Sequence, residues 1–199
     1  MLTIENNQSY YDEVFRQVAL SDEKREEIEF EDCEFVDCDF SRTTFKRCRF
    51  LNCQFLRCNL SLIALPATRV SECDFADCKL VGVDWTQADW PTYIHDHELK
   101  FRRSILNDSA FFGLTLHALV LEECKLRDVD FREGDFTHAS MTYCDFSGSQ
   151  FMRTILASAD LTESTDYCIN VLENRLSGAK LSRFQALNLL ESLGIELVD

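Results

Sequence analysis

Large apolar side chains recur at every fifth position of this chain over two long runs. The first is Phe30, Phe35, Phe40, Phe45, Phe50, Phe55, Leu60, Leu65, Val70, Phe75, Leu80, Trp85 and Trp90. The second is Phe101, Leu106, Phe111, Leu116, Leu121, Leu126, Phe131, Phe136, Met141, Phe146, Phe151, Leu156 and Leu161. No step in either run is missed, although only 46% of the chain is hydrophobic. A five-residue step turns an α-helix by about 500°, so the rings would spiral around all its faces. In a flat strand an odd period sends successive rings to opposite faces. Neither element buries them together. The pattern requires a backbone that coils by a constant angle around an apolar axis, which is a solenoid.

Two residues before each ring lies a small or β-branched residue, such as Ile28, Cys33, Cys38, Thr43, Cys48 and Cys53. A narrow coil has room for one large side chain per unit and a compact neighbour beside it. The other three positions of the five face solvent and carry most of the charge. Nine of the ten cysteines occupy the small position, only Cys168 falls outside it, and no CxxC pair occurs. That register argues for buried, reduced thiols acting as small hydrophobes, against a disulfide framework or a metal site.

Units such as Cys33-Glu34-Phe35-Val36-Asp37 and Cys53-Gln54-Phe55-Leu56-Arg57 resemble the pentapeptide-repeat family, whose unit is a small residue, a polar residue, Leu or Phe, and two more polar residues. The resemblance covers residues 28–181. It implies an all-β solenoid, a right-handed quadrilateral β-helix with four pentapeptides per coil; the period of five alone does not distinguish three sides from four. Residues 1–27 are expected to form an N-terminal cap or irregular first coil, because Arg25 breaks the beat that Tyr10, Phe15 and Leu20 keep. Downstream, Asp166 interrupts the beat while Val171, Leu176 and Leu181 keep its phase, so the coil is expected to end gradually.

Residues 182–199 read as a C-terminal helix and dimerisation segment. Ser182 with Gln185 makes a capping box, Ala186, Leu187, Leu190 and Leu193 form a helical stripe, and Gly194 suits the position after the helix. The segment 174–198 resembles the C-terminal module of the Qnr-type quinolone-resistance and microcin-immunity group. That resemblance implies a homodimer joined tail to tail, carried here by Phe184, Leu187, Leu190, Leu193 and Ile195. The alternative is a helix that only covers the open end of its own coil.

The register slips by one residue between Trp90 and Phe101, across Pro91, Thr92, Tyr93, Ile94, His95, Asp96, His97 and Glu98. Either a projecting loop or a one-residue bulge at a corner would account for it. In an extended segment His95 and His97 share a face and could ligate a metal, but two further ligands would have to come from elsewhere. A solvated loop explains the residues without a metal, and no cofactor is expected.

With 35 acids against 20 bases the net charge is −15. Binding to nucleic acid or an anionic membrane is therefore disfavoured, and a positively charged protein partner is the natural alternative. Seven coils at about 4.8 Å would carry one net negative charge per roughly 2.3 Å, against one per about 1.7 Å of duplex DNA. The candidate acidic surface is Asp74, Asp77, Asp84, Asp89, Glu122, Glu123, Asp128 and Asp130, in a banded arrangement, since no acid lies between Phe40 and Ser71. The resemblance implies a DNA mimic that binds and modulates or protects a type II topoisomerase, DNA gyrase or topoisomerase IV. The alternative is a β-helical scaffold for another protein. An enzyme is not expected, because the chain has no Gly-rich phosphate loop, GxSxG elbow or HExxH pair. The start, MLTIENNQSYYDEV, lacks a basic segment followed by an apolar run, and no stretch approaches about 18 consecutive apolar residues, so a cytoplasmic location is expected.

Overall fold

The computed structural model describes residues 3–196 and 198. It is a right-handed parallel β-solenoid of four-sided section, with one pentapeptide on each side. Along one side, strands Val14–Arg16, Glu34–Val36, Gln54–Leu56, Asp74–Ala76, Lys100–Arg102, Val120–Glu122, Ser140–Thr142, Asp160–Leu161 and Lys180–Leu181 form a nine-stranded parallel sheet. Partners there are one coil apart, Phe35 opposite Phe55 and Phe55 opposite Phe75. The coil thus makes nine turns rather than the seven expected. Over about 43 Å of rise the net charge falls to one per roughly 2.9 Å, well short of duplex DNA.

Each corner is made by the second residue after a ring, held in the left-handed region: φ is 56° at Asp32, 54° at Asp37 and 53° at Arg57. This conformation is costly for side chains other than glycine. It recurs because each corner amide donates across to the next coil, as Asp32 N–H does to Leu51 O at 3.1 Å and Arg57 N–H to Ala76 O at 3.0 Å.

On the axis the rings stack coil upon coil. Phe15, Phe35, Phe55, Phe75 and Phe101 form one column, with successive centroids 5.0, 4.7, 4.7 and 4.9 Å apart. The small position has a polar task that its size does not reveal. Its side chain donates to a backbone carbonyl in the coil below: Cys38 Sγ to Phe15 O at 3.4 Å, Thr43 Oγ1 to Leu20 O at 2.6 Å, Thr68 Oγ1 to Phe45 O at 2.7 Å. Cysteine, serine and threonine are used there because each is compact and can donate.

The regular coil starts earlier than the sequence suggests. Ser9–Tyr11 pairs with Glu29–Glu31, and Arg25 lies in a strand opposite Phe45. Arg25 breaks the apolar beat without breaking the coil because its guanidinium pairs with Glu23 at 2.5 Å beside the axis. At the other end, Tyr167 is buried and Ile169 pairs with Phe151, so Ile169 rather than Val171 carries the beat on that side.

Beyond the last strand the chain forms the expected short C-terminal helix, whose segments α1 (Arg183–Ala186) and α2 (Asn188–Glu191) run on through Leu187, itself helical at φ −62° and ψ −37°. The expected capping box is absent. Ser182 Oγ instead accepts from the Glu163 amide at 2.7 Å, which ties the segment to the last coil. Gly194 does adopt a left-handed φ of 72°. Among the described residues no helix is long and apolar enough to cross a membrane.

Candidate interaction surfaces

Because the axis is filled, every outward side chain belongs to a vertical column with a period of one coil. Residues of opposite sign in one column meet about 4.8 Å apart. The corner Asp37, Arg57, Asp77, Arg103, Glu123 alternates in sign. Arg57 grips Asp37 at 2.7 and 2.9 Å, and Arg103 grips Asp77 at 2.9 and 3.0 Å. These hydrogen-bonded guanidinium groups hold both carboxyls below the usual range. Other corners repeat the pairing, Arg42 with Asp22 and Arg47 with Glu27.

The expected acidic surface is therefore largely neutralised within the molecule. Asp74 and Glu122 share Arg102, Asp77 is held by Arg103, Asp89 by Arg69 at 2.7 Å, and Asp130 by Arg132 at 2.7 Å. Asp84 is an N-cap, accepting from the amide and hydroxyl of Thr86 at the short 3-10 turn Trp85–Gln87. Asp84, Glu123 and Asp128 have no basic partner among the described residues. Asp128 packs against Gly148 of the next coil, where a Cβ would come within 2.3 Å of its carboxylate. Sequence bands could not reveal this pairing, which depends on which residues lie one coil apart.

One corner differs. Asp12, Asp32, Asn52, Glu72 and Glu98 succeed one another there, all left-handed and exposed, with no base in the column. Glu31 and Glu34 flank it. Among the described residues none of these carboxylates makes an ion pair, and Asp32 accepts only from Asn52 Nδ2 at 2.6 Å. Uncompensated negative charge thus gathers along a single edge through the N-terminal five coils. This edge was missed because its members lie one coil apart in sequence.

The column ends at the interruption. Phe75 pairs with Phe101, an offset of 26 residues, so six residues, 91–96, are inserted into a coil that is otherwise regular. The slip of one residue is this six-residue insertion seen modulo five. Neither expected form describes it, because the insertion folds back over the coil. His97 holds an outward position, yet it is only 3% exposed. Pro91 and Ile94 are half-buried, Thr92, His95 and Asp96 are exposed, and Tyr93 is 79% exposed. A cleft of about 220 Å³ lies between the insertion and the next coil, lined by Trp90, Ile94, His97 and Leu114 among others. His95 and His97 do not converge: His95 packs on His117 with centroids 5.2 Å apart, while His97 turns inward onto Trp90 at 4.9 Å. Among the described residues no group of three or more ligating side chains could hold a metal.

At the C-terminal end Phe184 is 82% exposed, and Leu187, Leu193 and Ile195 are exposed as well. Leu190 is half-buried and Leu189, outside the expected stripe, is the residue that packs on the core. The helix thus turns Leu189 rather than the expected stripe to the core, and four of the five expected interface residues remain exposed. A groove of about 730 Å³ separates α2 from the last coil, with Cys168 exposed beside it.

Residues 28–95 and 97–161 match the family model described as a pentapeptide repeat region. No curated protein sequence matches the chain. Among solved structures, a trypsin-treated variant of QnrB1, a plasmid-mediated fluoroquinolone resistance protein, is similar over 93% of this chain and 100% of its own, with 22% identity and a TM-score of 0.67. A second trypsin-treated QnrB1 variant covers 96% of this chain and 99% of its own, with 21% identity and a TM-score of 0.58.

Proposed function

The chain belongs to the pentapeptide-repeat family, and from that premise we propose that it is a non-enzymatic protein-interaction module: a tail-to-tail homodimer of acidic rods, working in the cytoplasm, that occupies the DNA-binding groove of DNA gyrase or topoisomerase IV. The observation that carries this reading is the base-free corner Asp12, Asp32, Glu72 and Glu98. A groove lined with Lys and Arg to take phosphates would accept a column of unpaired carboxylates, whereas corners already neutralised by arginine offer it little. The exposed Phe184, Leu187, Leu193 and Ile195 supply an apolar end patch for the dimer, with Leu190 behind them. The shared fold with a fluoroquinolone resistance protein supports the choice of enzyme. The fold-back insertion 91–96, at the end of the acidic corner, is the candidate contact for the partner's surface.

A supercoiling assay with cognate gyrase, with and without a fluoroquinolone, tests this reading. Inhibition of supercoiling, or relief of the drug's inhibition, is expected. Replacing Asp12, Asp32, Glu72 and Glu98 with Gln should abolish the effect. No effect at tens of micromolar would refute it.

The second reading is a scaffold for a different protein. The alternating corner Asp37, Arg57, Asp77, Arg103, Glu123 favours it, since a partner of patterned charge fits both signs. Capture of a partner that is lost on Arg57→Gln and retained when the acidic corner is neutralised would select this reading.

A further inference from the structure

His97 occupies the position after Trp90 in the pentapeptide register, where every other coil places an outward side chain. Its equivalents on the same side are Tyr11, Glu31, Leu51, Ser71 and His117. His97 alone is shut away, 3% exposed, and its Nε2 finds no hydrogen-bond partner among the described residues. The insertion covers it. The covered position is also a structural rung, because His97 O accepts from the Glu72 amide at 2.7 Å, the bond that returns the chain to the coil. Trp90, whose ring meets His97 edge-on, is fixed from below by its Nε1 bond to Trp85 O at 2.7 Å.

We infer that residues 91–96 form a pH-sensitive strap: they close over neutral His97 and are released when its imidazole takes a proton. A charged ring in this place would carry a buried N–H with nothing to receive it, which the closed strap cannot supply and water can. The charges that face the ring come from three directions. Burial acts most strongly and opposes the proton; on its own segment a hydrogen bond to the Ile94 backbone and the charge of Asp96 favour the proton while His95 opposes it, and from the coil below Arg69 opposes it, although Asp89 pairs with Arg69. Burial outweighs them all, and the His97 imidazole is held below the ordinary histidine value. Glu72 and Glu98 stand at the adjoining corner, exposed to solvent. The linkage has a definite sign. A histidine held neutral leaves the closed form at full stability above about pH 6.5 and weakens it as pH falls from there towards the lower folded value.

Amide exchange on the full-length protein, followed from pH 7.5 to 5, tests the strap. After correction for the intrinsic rate, protection of the Glu72 amide should fall as pH drops below about 6.5, by at most about tenfold per pH unit, and level off at the lower folded value, while the Asp74 amide on Cys53 O keeps its protection. In His97→Phe the pH dependence should vanish. His95→Asn and His117→Asn should retain it, and these two variants carry the test if His97→Phe does not fold. A flat profile in the native protein, or loss of the dependence in His95→Asn or His117→Asn, would overturn the proposal. Because the readout needs no partner, it is independent of whether gyrase binds.

Discussion

The column Phe15, Phe35, Phe55, Phe75 and Phe101 allows the nearest-neighbour logic of the coil to be measured. Phe55→Leu removes two stacked contacts at 4.7 Å, with Phe35 and with Phe75. Each aromatic pair is worth about 0.5–1.5 kcal/mol beyond the area it buries, so the stacks alone cost about 1–3 kcal/mol. Leucine is tolerated on this side of the axis, as Leu121 and Leu161 show, so the variant should fold. Phe75→Leu likewise removes two stacks, with Phe55 and Phe101. The double variant Phe55→Leu/Phe75→Leu loses three stacks rather than four, and should fall short of the sum of the singles by about 0.5–1.5 kcal/mol. Phe35→Leu with Phe75→Leu shares no stack and spans two coils, so those effects should add to within about 0.5 kcal/mol. Urea unfolding at one fixed protein concentration would give the values, since the stability of any dimer depends on concentration. Equal coupling in both pairs would refute the reasoning, because it would mean that the core responds as one body and not coil by coil.

Thiol titration of the native protein should label Cys168 alone, and all ten cysteines in denaturant; burial pushes the Cys48 thiol up, and Cys58, drawn down by Cys38 but raised by Cys78 and burial, stands at about 12. Deleting residues 91–96 should restore a twenty-residue coil, placing Phe101 twenty positions after Phe75 and Glu98 at its corner, with the β-sheet circular dichroism unchanged; an aggregated or unfolded product would show that the insertion is not separable. Asp37 and Asp77 are held below the ordinary carboxyl value by Arg57 and Arg103, so their contribution is present above about pH 4 and is lost as pH falls through the lower folded values. Melting curves between pH 5 and 2 should fall less steeply in Arg57→Gln/Arg103→Gln than in the native protein.

By repeat pattern alone the outward residues are interchangeable for folding, and reversing Asp74, Asp77, Asp84 and Asp89 to lysine is harmless on that reading. In the coil three of the four face an arginine one turn away and the fourth caps the 3-10 turn, so reversal sets like charges against each other. The same blindness hid the acidic corner, whose members are twenty or more residues apart. Ser182 shows the limit at the other end: its spacing to Gln185 suits a capping box, but the hydroxyl is taken by Glu163, nineteen residues earlier.

The sequence by itself determined the axis. A ring every fifth residue with a compact partner two before it leaves one way to bury both, so the solenoid, the buried cysteines and the place of the interruption follow from periodicity. Tertiary structure alone decided what the outward residues do. Sign, pairing and exposure depend on which residues lie one coil apart, and that distance is twenty except where six residues are inserted or the last coil tightens to eighteen. Local spacing holds no record of a neighbour one coil away, and so the paired corners, the one unpaired corner and the strap over His97 came into view only when the coils were stacked.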